Sequence, residues 1–397
     1  MAQTSSEQMR AWTGPALFSF GFRPFFLFGS AWVAGAMCIW ILALSGTITI
    51  PSRLDPVSWH AHAFLFGYLG AILAGFLLTA VPNWTGRLPI VGWKLAALFA
   101  LWCMGRIAIF LSAHLPVGVA PILDLGFQVV LSGLILQEII AGKNWHNLVV
   151  VALLAVFTLA NAIFHLEAAR GIVAAQGYGL RLGLGTAIMM IAVIGGRIIP
   201  SFTRNWLVTR DSPARPAPPM QRFDRATLLV SLPILASWVL APSALATALG
   251  LLVFGVFHTA RLTRWQGRHT FAEPLVWVLH VAYLFIPIGA FGLALDVLIG
   301  GNGSAAAQHA WMAGAIGAMT LAVMTRATLG HTGQDLHANA PTVAIYLCLF
   351  AAVGARWLSG RYPDLVTLSG VLWFAAFAGF VLVYGSSLAR PKTTKPS

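Results

Sequence analysis

With 397 residues, 58% of them apolar and only 9% charged, and a mean hydropathy of +0.81, the chain cannot be a soluble domain with a polar surface and reads as a polytopic membrane protein. A formal charge of +13 would suggest nucleic acid in a soluble protein, but here it raises the question of which membrane side holds the Lys and Arg residues. The expected partner is the lipid bilayer, with no nucleic acid.

Charge-free windows of roughly 20 residues predict an all-α bundle of about twelve transmembrane helices. Span one covers about 24–44 and is preceded by GFRPFF, whose Gly21, Arg23 and Pro24 suit a helix start at the cytoplasmic interface. Span two opens at WHAH, with His60 and His62, and ends at Pro82-Asn83-Trp84. Spans three and four, about 92–113 and 117–140, flank a tight turn with His114 and Pro116, so they are antiparallel neighbours. Spans five and six cover about 147–167 and 180–200.

An Arg- and Pro-rich stretch, 201–225, follows as a basic cytoplasmic linker between two six-helix halves, 24–200 and 226–388. The second half holds spans at about 226–240, 243–261, 273–296, 305–327, 341–357 and 365–388. Neither WHAHAF nor its glycine pattern aligns onto this half, so the sequence shows no internal repeat.

Placing both termini in the cytoplasm gathers most cations inside, from Arg10, Arg23, Arg197, Arg261 and Arg326 to Lys392 and Lys395. The outer connections then hold only Arg53, Arg170, Arg181, Arg356 and Arg361. Cys38, Cys103 and Cys348 lie far apart in apolar runs and read as packing residues. No CxxCH is present, which excludes covalent c-type haem by the usual motif, and no apolar h-region precedes span one, so no cleaved signal is expected.

The topology gives each histidine a depth. Near the outer face lie His60, His62, His114, His165 and His309, and metal ligands are expected among His60, His62, His165 and His309. His60 and His62 are two residues apart and leave a regular helix on nearly opposite faces, which suits two sites, or one ligand and one supporting donor. Asn161 lies one turn before His165, placed to orient its imidazole. In the inner half, matched depth would allow His258 and His280 to meet, and His331 and His337 follow in a loop. Against all of these stands the commoner role of a lone interfacial histidine, which is packing. Gly67, Gly70 and Gly75 let helices approach closely. Arg197 in GGRIIPSFTRN and Arg326 in MTRATLGH anchor to lipid phosphate or pair carboxylates such as haem propionates. Arg106 lies inside span three and needs a partner, and Asp124 on span four is one available near the outer face.

GFRPFFLFGS, WHAHAFLFGYLGAILAGFLLTAVPNWTG, NAIFHL, GGRIIPSFTRN and HAWMAGAIGAMTLAVMTRATLGHTG together resemble the NnrS family, in order and over most of the chain. The resemblance implies a bacterial inner-membrane protein with non-covalent b-type haem and copper, serving nitric oxide metabolism and protection from nitrosative stress in denitrification. It points to His60, His62, His165, His280, His309, Arg326 and His331. The family pattern often places Glu after the second histidine of WHAH, where this chain has Ala63, so a carboxylate that could serve proton transfer or metal binding is missing.

The first functional expectation is therefore a haem- and copper-binding protein whose ligand is nitric oxide or a nitrosylated iron species. The adjacent His-His pair of haem-copper oxidases and nitric oxide reductases is absent, which favours a protective or accessory role over an autonomous reductase. The second is a secondary transporter or metal permease using intramembrane histidines. The third is an assembly subunit whose histidines only pack. The sequence leaves open whether any reaction is catalysed.

Overall fold

The computed structural model describes residues 12–301 and 304–391, so Arg10, Lys392 and Lys395 lie outside the described residues. The described chain is helical throughout, without strands, and twelve of its helices are long and apolar enough to cross a membrane. They are α1 (Phe22–Leu44), α2 (Pro56–Thr85), α3 (Trp93–Phe110), α4 (Val119–Ala141), α5 (Trp145–Ala169), α6 (Tyr178–Val208), α7 (Arg222–Leu240), α8 (Leu245–His269), α9 (Pro274–Leu298), α10 (Ala305–Thr332), α11 (Ala340–Leu358) and α12 (Leu365–Ala389). In lipid every backbone N–H and C=O must be bonded within the protein, and uninterrupted helices achieve this locally.

Several ends move from their expected positions. α6 runs through Pro200 to Val208, so the first eight residues of the stretch 201–225 are helical, and α7 takes its last four. A proline deletes one ladder bond but does not end a helix whose apolar pattern continues and whose flanks are packed. α10 runs to Thr332, which makes His331 helical instead of a loop residue.

By packing, the described chain divides into two compact units. One comprises residues up to Gly183, Thr328–Gln334 and the chain from Phe377 on; the other comprises Leu184–Ala327 and Asp335–Ala376. Within the first, Arg23 is buried and its Nη1 donates to the carbonyls of Leu388 (3.1 Å) and Arg390 (2.6 Å). It therefore caps the C-terminus of α12, where a cation is favoured by the unsatisfied carbonyls, and is not a free cytoplasmic anchor.

α2 and α10 each contain one π-helical stretch, Ala63–Tyr68 and Ala310–Gly317, beginning right after His62 and His309. Their sequences then align: HAFLFGYLGA starting at His62 matches HAWMAGAIGA starting at His309 in both histidines, the following alanines, two glycines and the closing alanine. Both helices end in Thr-Gly, at Gly86 (φ 69°) and Gly333 (φ 78°), and every one of these pairs is 247 residues apart. An internal repeat is thus present after all. It relates helices eight spans apart, out of register with a division into six-span halves. α2, α6 and α10, every fourth span, are also the three most buried.

Candidate metal centre

The site grows from how the chain fixes four helices of the first unit. Asp55 caps α2 by accepting from the N–H groups of Val57 (3.1 Å) and Ser58 (3.0 Å), with Pro56 at the first helical position, and this sets where His60 and His62 fall. The π-helical stretch that follows widens the ladder and frees carbonyls. Two indoles occupy them: Trp32 Nε1 donates to Ala63 O (3.1 Å) and Trp102 Nε1 to Gly67 O (3.0 Å).

Gly105 brings α3 against α4, because a Cβ there would lie 3.2 Å from Asp124 Cα, and the next residue, Arg106, is thereby delivered to Asp124. At the far end of α5, Glu167 accepts from the N–H groups of Tyr178 (2.7 Å) and Gly179 (3.1 Å), capping α6 and fixing the turn of α5 that carries His165.

These elements converge on Asp124, which is fully buried. Nε2 of His62 and Nε2 of His165 each lie 2.9 Å from its Oδ2, and Asn161 Nδ2 donates to the same oxygen at 2.7 Å. Oδ1 pairs with Arg106 Nη2. The two rings are 5.1 Å apart, with Phe66 and Phe164 packed on His62. Among the described residues, His62, Asp124 and His165 are the one group of three His, Cys, Asp or Glu whose ligand atoms all fall within 4.8 Å of one another. Counting about 1.5 Å per residue, all four helices place their contributions about 6–9 Å from their ends at one membrane face.

The expected partnership of Arg106 with Asp124 is present. Asn161, expected to orient His165 directly, instead bonds the carboxylate that both histidines share. A buried arginine and aspartate cost several kcal/mol each to desolvate, and their pairing offsets much of that.

The other residues singled out go elsewhere. His60 turns to a different neighbour from His62, stacking on Trp40 at 4.5 Å and meeting Phe64 at 4.5 Å. His309, in the second unit, bonds Ala305 O through Nδ1 at 2.6 Å. His331 packs against Phe20 (5.4 Å) and Phe22 (5.3 Å). Arg326 lies over the Phe202 ring at 4.1 Å, and Arg197 is half-buried on α6.

His258 and His280 do not pair with each other. His280 Nε2 meets Thr203 Oγ1 at 2.8 Å, while His258 Nδ1 meets Tyr283 Oη at 2.7 Å. That second contact belongs to a network absent from the sequence expectations. Arg261 donates through Nε to Asp224 (2.6 Å) and through Nη1 to Ala192 O (2.7 Å) and Tyr283 Oη (3.0 Å). Tyr283 then donates to His258 Nδ1, and His258 Nε2–H donates to Ser231 Oγ (3.0 Å), whose own proton goes to Thr227 O (2.7 Å). Both nitrogens of His258 are used, so it has none to offer a metal. Arg261 was expected as a cytoplasmic charge and Asp224 falls in the expected linker; both are buried, on helices.

Twelve spans and, within the first unit, a buried group of two imidazoles and a carboxylate define a multi-pass membrane protein with the donor set of a transition-metal site. The sequence profile described as NnrS protein matches residues 16–392. The chain belongs to the NnrS family, which supports a nitric-oxide-related membrane protein in a family generally associated with metals. No curated protein matches it significantly.

Proposed function

We propose that His62, Asp124 and His165 hold a copper ion in the bacterial inner membrane, with both chain termini cytoplasmic, and that the protein serves the nitric oxide response and protection from nitrosative stress. The observation that carries this reading is the convergence of three N–H donors on Asp124 Oδ2. One carboxylate oxygen accepts two hydrogen bonds comfortably, so a cation among the same atoms would relieve the crowding. His62 Nδ1 has no hydrogen-bond partner and can carry the ring proton when Nε2 becomes a ligand. The donor set therefore fits the ion.

Copper bound there supplies a redox-active Lewis acid to a small uncharged molecule arriving through the bilayer. The residues do the rest. Asn161 and Arg106 hold the Asp124 carboxylate in place. Phe66, Phe157 and Phe164 form an apolar wall beside His62 that excludes bulk water.

For haem, the residues that the resemblance points to offer an open ligand atom, the buried Nδ1 of His280, which has no hydrogen-bond partner among the described residues. His280 is held by Thr203 through its other nitrogen, His331 packs against Phe20 and Phe22, and Arg326 lies over the Phe202 ring.

Metal analysis of detergent-purified protein for copper, iron and zinc tests the reading. His62→Ala and His165→Ala are each expected to reduce bound copper at least tenfold, whereas His60→Ala and His309→Ala leave it near the unsubstituted value. Equal copper in all four variants would sink the assignment.

A further inference from the structure

The same unit contains polar groups that the metal site does not use. Arg106 spends Nη2 on Asp124, but its Nε and Nη1 are buried without a partner among the described residues. Gln128, one turn beyond Asp124 on the same face of α4, is buried with neither its oxygen nor its nitrogen bonded, and Asn161 Oδ1 is likewise unpaired. A buried donor or acceptor left unmade costs roughly 1–3 kcal/mol, so such a concentration calls for an occupant.

The second unit shows that this fold can satisfy a buried arginine. Arg261 bonds through both Nε and Nη1 and leaves only Nη2 over.

The Arg106 guanidinium packs directly on the bare backbone of Gly67, and the Gln128 amide faces that of Gly70. A Cβ on Gly67 would lie 2.5 Å from Arg106 Nη1, and one on Gly70 would lie 3.8 Å from Gln128 Nε2. These glycines are three residues apart along α2, so both donors face one stretch of one helix, next to the π-helical segment and the His62–Asp124–His165 group.

We infer that Arg106 and Gln128 form a subsite for a small inorganic monoanion beside the metal group, with Arg106 seated on Gly67. Arg106 Nε and Nη1 and the Gln128 amide donate to the anion, while Gln128 Oε1 and Asn161 Oδ1 accept from a water or from the acid form of the ligand. Charge points the same way, and this part alone rests on the copper reading. Arg106 and Asp124 cancel, so a metal cation leaves a net positive charge at membrane depth, which an anion neutralises.

Azide is the probe, followed by the infrared stretch of the bound anion in purified protein, metal-free and copper-loaded. The unsubstituted protein is expected to bind azide saturably. Gln128→Leu, which keeps size and leaves every ligand atom of the metal group in place, should weaken binding at least tenfold, and Gln128→Glu should weaken it further by repulsion. Circular dichroism and gel filtration establish that each variant is folded. Azide that binds Gln128→Leu as tightly as the unsubstituted protein, or that binds neither, overturns the subsite and leaves these groups to ordered water. Copper content, measured on the same samples, decides the metal reading separately, because Gln128→Leu is expected to retain its copper.

Discussion

Asp124→Asn is expected to empty the metal group and to destabilise the protein by about 3–5 kcal/mol, the usual cost of stranding a buried charge. The stranded charge is Arg106, which is buried and bonded to Asp124 through Nη2 alone. Arg106→Met should destabilise by a similar amount, because the carboxylate then lacks its cation. The two losses separate in the double variant, Arg106→Met with Asp124→Asn. It carries no unpaired charge and should recover most of the stability, while still failing to bind copper for want of the carboxylate. Unfolding in detergent, read beside metal content, gives both quantities. A double variant no more stable than either single one would show that the ion pair is not what the singles lose.

Arg261→Met is the second large effect. It strands Asp224, removes the donors to Ala192 O and Tyr283 Oη, and opens the space beneath Trp265, over whose ring the guanidinium sits at 5.3 Å. A loss of about 3–5 kcal/mol follows from the unpaired charge, partly restored by adding Asp224→Asn. Copper content should not change in whatever protein remains folded, because none of the metal group's atoms belongs to this network. Metal lost in proportion to Arg261→Met, at temperatures where the protein is folded, would contradict that independence.

Much of this fold was legible beforehand because the bilayer allows few solutions. A charge-free window of about 20 residues has to become a helix, and all twelve did. The ends were less legible. Pro200 and the Arg-rich residues after it look like a stop, yet packing carried α6 on to Val208.

In the candidate site, residue type and depth singled out His62 and His165 no more than His60 and His309, and the need of a buried cation paired Arg106 with Asp124. Depth could not decide direction, however. His60 shares a helix turn with His62, yet it faces Trp40 because a two-residue step reverses the side chain. Gln128 and Tyr283 gave no signal at all, since one amide or phenol in an apolar run is ordinary until its neighbours are known. Asp224 and Arg261 were hidden because one fell in the expected linker and the other at an expected span end, where charges usually meet water.

The wide stretch at Ala63–Tyr68 makes α2 a screw with two threads. A regular helix advances about 100° per residue, so the one surplus residue held there sets everything before it out of phase with everything after it. His62 belongs to the first thread and Gly70 and the remainder of the helix to the second. Substitutions within the stretch leave that phase untouched. Deleting a single residue from it should restore an even pitch and leave His62 facing Asp124, because a regular helix one residue shorter turns through about the same angle. Adding one residue to the regular turns that follow should instead swing His62 away from Asp124 by about a quarter of a turn. That insertion is expected to keep the protein helical while its copper is lost and the deletion to retain it, outcomes that circular dichroism and metal analysis of the same samples would register together. The centre thus depends on where its helix holds the extra residue as much as on its ligands.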